Sequence, residues 1–196
     1  MTRLIAVALF SIAMTGCGRE MIRWYKPSGA GITNNRNCGG PKQVMKFQLD
    51  QGGTILSVSI DAPNGEGERP GPKPNMNYGI ALAPGSRVRI VEPTFVVLSI
   101  TGEELRRYPF SEVSGPGFKS IPATEEFRAT LPADTNKKKA RVSLIDNYFL
   151  VSLFINALPP RFQVRYPTLM VNGNLFAGPT VTYTISEGSF LIRRCF

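Results

Sequence analysis

The residues that could carry chemistry are scarce: three cysteines, Cys17, Cys38 and Cys195, and no histidine in a chain of 196 residues. Without histidine the chain lacks the usual neutral-pH general base and the commonest transition-metal ligand. A Ser-His-Asp triad, a Cys-His dyad and a histidine-based zinc site are therefore excluded within it. No C-x-x-C spacing supports a reactive thiol pair. Carboxylates remain: Glu66 and Glu68, and the adjacent pairs Glu103-Glu104 and Glu125-Glu126. A hydrolase built on them would need two acids converging in a cleft, whereas their surroundings read as solvated loops. Gly115-Pro116-Gly117-Phe118-Lys119-Ser120 lacks the adjacent Gly-Lys of a phosphate loop and reads as a turn. The sequence thus assigns no catalytic residue, no metal ligand and no cofactor.

Positive charge is the one distributed feature. Lys and Arg outnumber Asp and Glu by 23 to 14, a net charge of +9. Arg87, Arg89, Arg128, Arg141, Arg161 and Arg165 each fall on the polar phase of an alternating segment, and Lys137-Lys138-Lys139 falls on a turn. If these arginines share one sheet face, that face attracts an acidic partner. The plainer reading is that they solubilise exposed strand faces and blunt sheet edges. Nucleic acid is not expected, because no aromatic-studded binding motif accompanies the charge.

The elements that must hold these residues repeat with period two. Met45, Phe47 and Leu49, then Leu56, Val58 and Ile60, read as two strands of a hairpin around Gly52-Gly53. The proline-rich stretch from Ala62 to Asn77 reads as a surface loop. Ile80 to Leu82, Val88 and Ile90, the apolar run Thr94 to Ile100, and Phe127, Ala129 and Leu131 follow as strands. Thr101 to Glu125 reads as polar and irregular. Arg141 to Ile145 pairs with Tyr148 to Asn156, the latter expected to be the most buried strand. Phe162, Val164 and Tyr166 form the next strand, and Asn172-Gly173 is a strong two-residue hairpin signal. Val181, Tyr183 and Ile185 form another, and Glu187-Gly188 turns into a last strand reaching Cys195. About ten short strands and no amphipathic helix predict an all-β chain, an antiparallel β-sandwich of immunoglobulin-like type. Gly (19) and Pro (16), scattered between short apolar runs, agree with a turn-rich β protein.

The N-terminus reads differently. Arg3 precedes an apolar run from Leu4 to Ala13, broken only by Ser11, that is too short for a bilayer span of about 20 residues. It fits the apolar region of a secretory signal. Met14-Thr15-Gly16-Cys17 then resembles the lipobox of bacterial lipoproteins, with Met14 standing where leucine is preferred. The resemblance implies cleavage before Cys17, a diacylglycerol on its sulfur and a further acyl chain on its amino group. Two or three chains anchor a protein stably, whereas one does so marginally. Gly18 stands where enteric lipoproteins kept in the inner membrane carry Asp, so the resemblance implies the outer membrane, periplasmic side. Trp24-Tyr25-Lys26-Pro27-Ser28-Gly29, followed by Cys38, resembles the W-x-K-P-G segment past the anchor of many small proteobacterial lipoproteins. Pro160-Arg161-Phe162 through Gly173 resembles the ending of some secreted β-sandwich proteins.

On this reading residues 1–16 are a signal peptide, 17–42 a lipid-anchored tether and 43–196 the β-sandwich. With Cys17 acylated, Cys38 and Cys195 are left as an even pair in an oxidising compartment, which predicts a disulfide. It would close a loop of about 157 residues, for which the chain-entropy model gives roughly 5 kcal/mol. The expected role is a non-enzymatic lipoprotein, held to the membrane through Cys17, that binds another envelope protein. Envelope or secretion-system assembly and immunity-type inhibition of a toxin both fit. The alternative is binding of an anionic envelope polymer or lipid by the basic face, and a carboxylate-based hydrolase is a third possibility.

Overall fold

The computed structural model describes residues 19–29, 32–37, 40–61, 74–116, 119–129, 148–155 and 158–191. The expected signal segment, Cys17, Cys38, Arg141, Cys195, the strand expected over 141–145 and most of the proline-rich loop lie outside the described residues. No helix of the described residues is long and apolar enough to cross a membrane.

Sixteen strands appear among the described residues, where the sequence pattern predicts about ten. They are β1 (Arg19–Ser28), β2 (Ile32–Asn37), β3 (Gly40–Gln48), β4 (Ile55–Asp61), β5 (Asn75–Ala81) and β6 (Arg87–Ile90). Next come β7 (Thr94–Leu98), β8 (Glu104–Pro109), β9 (Glu112–Ser114), β10 (Ser120–Pro122) and β11 (Glu126–Arg128). The last are β12 (Tyr148–Phe154), β13 (Arg161–Arg165), β14 (Leu169–Val171), β15 (Asn174–Phe176) and β16 (Thr180–Leu191). They form three antiparallel sheets: a first of order β1-β16-β13-β7-β8, a second of order β10-β9-β12-β5-β4-β3-β2, and a third of order β11-β6-β14-β15. The chain is all-β, and the two larger sheets pack in a sandwich-like way.

The core follows from the alternation. In the β3–β4 hairpin Met45 faces Val58 and Phe47 faces Leu56, and the loop closes by Leu49 N–H to the Thr54 carbonyl at 2.8 Å. Tyr78 of the second sheet meets Phe95 of the first edge-on at 5.6 Å and stacks on Tyr166 at 5.9 Å. Phe162 and Tyr183 face each other on β13 and β16 and stack at 5.7 Å. Phe127 of the third sheet stacks on Phe149 of the second at 4.8 Å. Such ring pairs contribute beyond their buried area.

One corner decides where the arginines point. β7 pairs with β13 in the first sheet, and their chain neighbours β6 and β14 pair in the third. Both strand runs therefore bend together, at Val91-Glu92-Pro93 and at Tyr166-Pro167-Thr168, held by Val91 N–H to the Thr168 carbonyl at 2.9 Å. Strands that switch sheets through such a bend make the corners of sandwiches. Gly178 packs against the Tyr166 backbone there, where a Cβ would collide with main-chain atoms.

Four expectations are corrected. Residues assigned to a tether over 17–42 include β1, which pairs along its length with β16, and β2, which pairs with β3. The alternation test misses β1 because buried Tyr25 and Pro27 alternate with exposed Lys26 and Ser28 over only a few residues, and the proline reads as a strand breaker. The irregular stretch 101–125 contains β8, β9 and β10; β8 is exposed on both faces and carries no alternation. β16 runs straight through Glu187-Gly188, which pair with Arg23 and Ile22 of β1. β12 is not the most buried strand: Tyr148 and Ser152 are exposed while Phe149 and Val151 are buried, so one face meets solvent. β7 is the strand buried on both faces, as its apolar run predicts.

Candidate functional site

The alternation that places Arg87 and Arg89 outward is simple. β6 reads Arg87-Val88-Arg89-Ile90, with the arginines exposed and Val88 and Ile90 buried. On β11, Phe127 is buried and Glu126 and Arg128 are exposed. Register then sets two rows across the outer face of the third sheet. Arg128 stands directly opposite Arg87, and Glu126, Arg89, Met170 and Leu175 follow one another across the four strands.

The backbone of Arg87 is clamped. Its N–H donates to Asn172 Oδ1 at 2.9 Å, and Asn172 N–H donates to its carbonyl at 2.9 Å. Asn172 and Gly173 both have positive φ, 51° and 86°, so the β14–β15 hairpin turns on two left-handed residues, the type favoured by an Asn-Gly pair. Asn172 Nδ2 also donates to Asp50 Oδ2 at 3.3 Å. Asp50 Oδ1 accepts from Thr54 N–H at 2.8 Å, and buried Thr54 Oγ1 donates to Ser86 Oγ at 3.2 Å. The hairpin loop of the second sheet thus fixes both neighbours of Arg87.

The electrostatics of this face are unbalanced. Arg128 Nε donates to Glu126 Oε1 at 2.9 Å. Among the described residues neither Arg87 nor Arg89 makes an ion pair. Like charges directly opposite on adjacent strands are unfavourable, and Arg87 faces Arg128. Beside them Leu175 is 65% exposed on the edge strand β15. The face offers cationic groups next to apolar surface, and it can hold an anionic, partly apolar partner.

Arg161 and Arg165 stand elsewhere. Both are exposed on the outer face of the first sheet, where Arg165 is followed across the strands by Val96 and then Arg107. Val96 and Leu98 are buried on that face, flanked in register by long polar side chains whose stems shield apolar neighbours. Arg107 grips Glu104 with two bonds, Nε to Oε1 at 2.7 Å and Nη2 to Oε2 at 2.8 Å. Those bonds hold the Glu104 carboxyl below the usual carboxylate range, with Arg165 adding a smaller attraction. The predicted basic face is therefore two faces: Arg87, Arg89 and Arg128 on the third sheet, Arg161 and Arg165 on the first. Met170, Leu175, the Asn172 clamp and Arg107 were not singled out from sequence. The alternation of Met170 and Val171 before Asn172-Gly173 was the available signal for the first two.

Among the described residues no three acidic or cysteine side chains gather as a metal site. Compared with known protein families, curated proteins and solved structures, the chain gives no match.

Proposed function

We propose that this chain is a non-enzymatic lipoprotein of the outer membrane, facing the periplasm through an acylated Cys17, that holds another envelope protein on its β domain. The observation that carries the reading is the outer face of the third sheet. Arg87 and Arg89 have no acidic partner among the described residues, Arg87 faces Arg128, and Leu175 is exposed beside them. Interfaces favour arginine next to apolar surface, and a charged face steers a complementary partner. The lipobox-like Met14-Thr15-Gly16-Cys17 supports the anchor, and the lack of histidine supports a binding role over catalysis. A Cys38–Cys195 disulfide belongs to the same reading and rests on the even count left once Cys17 is acylated. The immunoglobulin-like class is likewise a proposal, supported by two larger antiparallel sheets meeting at Tyr78 and Phe95.

The alternative, an anionic polymer or lipid held by a single basic face, would need Arg87, Arg89, Arg161 and Arg165 together. Their division between two sheets counts against it. The test is affinity capture from detergent-solubilised envelopes with wild type and with Arg87→Glu/Arg89→Glu. One protein recovered in stoichiometric amount by wild type and lost from the variant supports the reading. Lipopolysaccharide or wall fragments alone would contradict it.

A further inference from the structure

The outer face of the second sheet differs from both arginine faces. Register sets two rows across its middle strands: Tyr148, Ala81 and Ile55 in one, Ser152 and Asn77 in the other. Gly79 lies between the rows on β5. Soluble surfaces are ordinarily rich in charged side chains, and the chain carries 23 Lys and Arg and 14 Asp and Glu. Even so, no described side chain on the outer phase of β12, β5 or β4 is charged. Glu112 of β9 and Lys46 of β3 stand one strand outside, on opposite sides. Tyr148 is 36% exposed and Ser152 is exposed, so the face is open there, while Ser59 of β4 is buried and marks its limit.

Two details prepare this face for a ligand. Tyr148 pairs with Ala81, yet its phenol reaches Gly79: a Cβ on that glycine would come within 1.9 Å of the hydroxyl oxygen and 2.6 Å of Cζ. The missing side chain lets the tyrosine lie down along the sheet, where its ring is a flat surface. The polar groups beyond it hold one another. Asn75 Nδ2 donates to Ser152 Oγ at 2.7 Å, and Ser152 Oγ donates to Asn77 Oδ1 at 2.9 Å. Side chains fixed beforehand cost less to order on binding.

These groups select one kind of ligand. A charged ligand finds no counter-charge on the middle strands. A purely apolar segment would bury the amides and the hydroxyl without partners, at a cost. A sugar ring has an apolar C–H face that packs on an aromatic ring, and hydroxyls that both donate and accept, as amides and serine do. Four residues separate Tyr148 from Ser152, about 13 Å of strand, which is room for more than one sugar. We propose that the outer face of β12 and β5 is a carbohydrate site: an uncharged oligosaccharide stacks one ring on Tyr148 and bonds its hydroxyls to Asn77 and Ser152. The site depends neither on Cys17 nor on the arginine face of the third sheet.

The experiment puts the purified full chain on an array of printed oligosaccharides, uncharged and anionic side by side. Uncharged members should bind, and added sodium chloride should leave their signal unchanged, because no ion pair is screened. Tyr148→Ala and Ser152→Ala should each lower the signal roughly tenfold. Tyr148→Phe keeps the ring and should retain most of it. Arg87→Glu/Arg89→Glu should bind as wild type does. Thermal unfolding of each variant establishes that it is folded; both Tyr148 and Ser152 are exposed, so at least one of the two changes leaves the fold in place. Binding to no uncharged member, binding to anionic members only, or full binding by both folded variants would overturn the site. So would loss of the captured envelope protein from Tyr148→Ala with no sugar bound, which would make this face a protein contact. Each of these failures leaves the lipoprotein reading standing.

Discussion

The hydroxyls of Tyr166 and Tyr183 lie 2.7 Å apart in a site closed to solvent. Tyr166 sits at the corner where the first sheet turns into the third, and Tyr183 is on β16. A buried hydroxyl left alone costs more than a made bond contributes. Tyr183→Phe should lower unfolding free energy in urea by about 1–3 kcal/mol. Removing both partners leaves no stranded hydroxyl at that pair, so Tyr166→Phe/Tyr183→Phe should cost less than the two single changes added together. A strictly additive double mutant would mean the hydroxyls do not depend on each other.

The same burial predicts a one-sided pH dependence. Burial pushes the phenols of Tyr78, Tyr166 and Tyr183 well above their ordinary value of 10.0. A raised folded value means the folded chain keeps its proton while the unfolded chain loses it. Stability from these groups is complete below about pH 10 and falls as pH rises toward the folded values, by about 1.4 kcal/mol per pH unit for each such group. Chemical denaturation at pH 9, 10 and 11 should show the fall beginning near 10, and the Tyr183→Phe variant should show a shallower slope. A flat profile through pH 11 would contradict the buried placement.

Phe127 and Phe149 are the stacked contact of the third sheet with the second. Phe127→Ala should destabilise by about 3–5 kcal/mol. Hydrogen exchange would check it: protection should drop first in β6, β11 and β14, which share the third sheet, before the β3–β4 hairpin. Uniform loss across all strands would show that the third sheet has no separate stability.

Asn172 supports Arg87 from the turn. Asn172→Gly keeps the left-handed turn but removes the side-chain bonds to Arg87 N–H and to Asp50. It should cost about 1–2 kcal/mol in thermal or urea unfolding and weaken capture of the partner several-fold, although Asn172 carries no charge. Full partner affinity in a folded Asn172→Gly would show that Arg87 needs no positioning.

Much of this was legible in the sequence for a physical reason. Where one face is buried and the other wet, alternation declares the strand, as in Arg87-Val88-Arg89-Ile90 and in Arg161 to Arg165. The Asn172-Gly173 turn was legible because both residues tolerate positive φ. β8 was not, because a strand exposed on both faces needs no alternation, and β1 was not, because its alternation of buried Tyr25 and Pro27 is short and passes through a proline. The bend at Pro93 and Pro167 was not legible either, and it puts Arg161 and Arg165 on one sheet and Arg87 and Arg89 on another. Alternation says which side of a strand a residue takes; only the pairing of β6 with β14 and β7 with β13 says which sheet it joins.

Compartment and partner class both depend on Cys17. Mass spectrometry of the N-terminal peptide from the envelope fraction is the most direct measurement. The predicted result is a chain that starts at Cys17 and carries a diacylglycerol on its sulfur, with Cys17→Ala left unprocessed and unacylated. A peptide that runs through Gly16-Cys17 with a free thiol, or membrane attachment and processing unchanged in Cys17→Ala, would contradict the account.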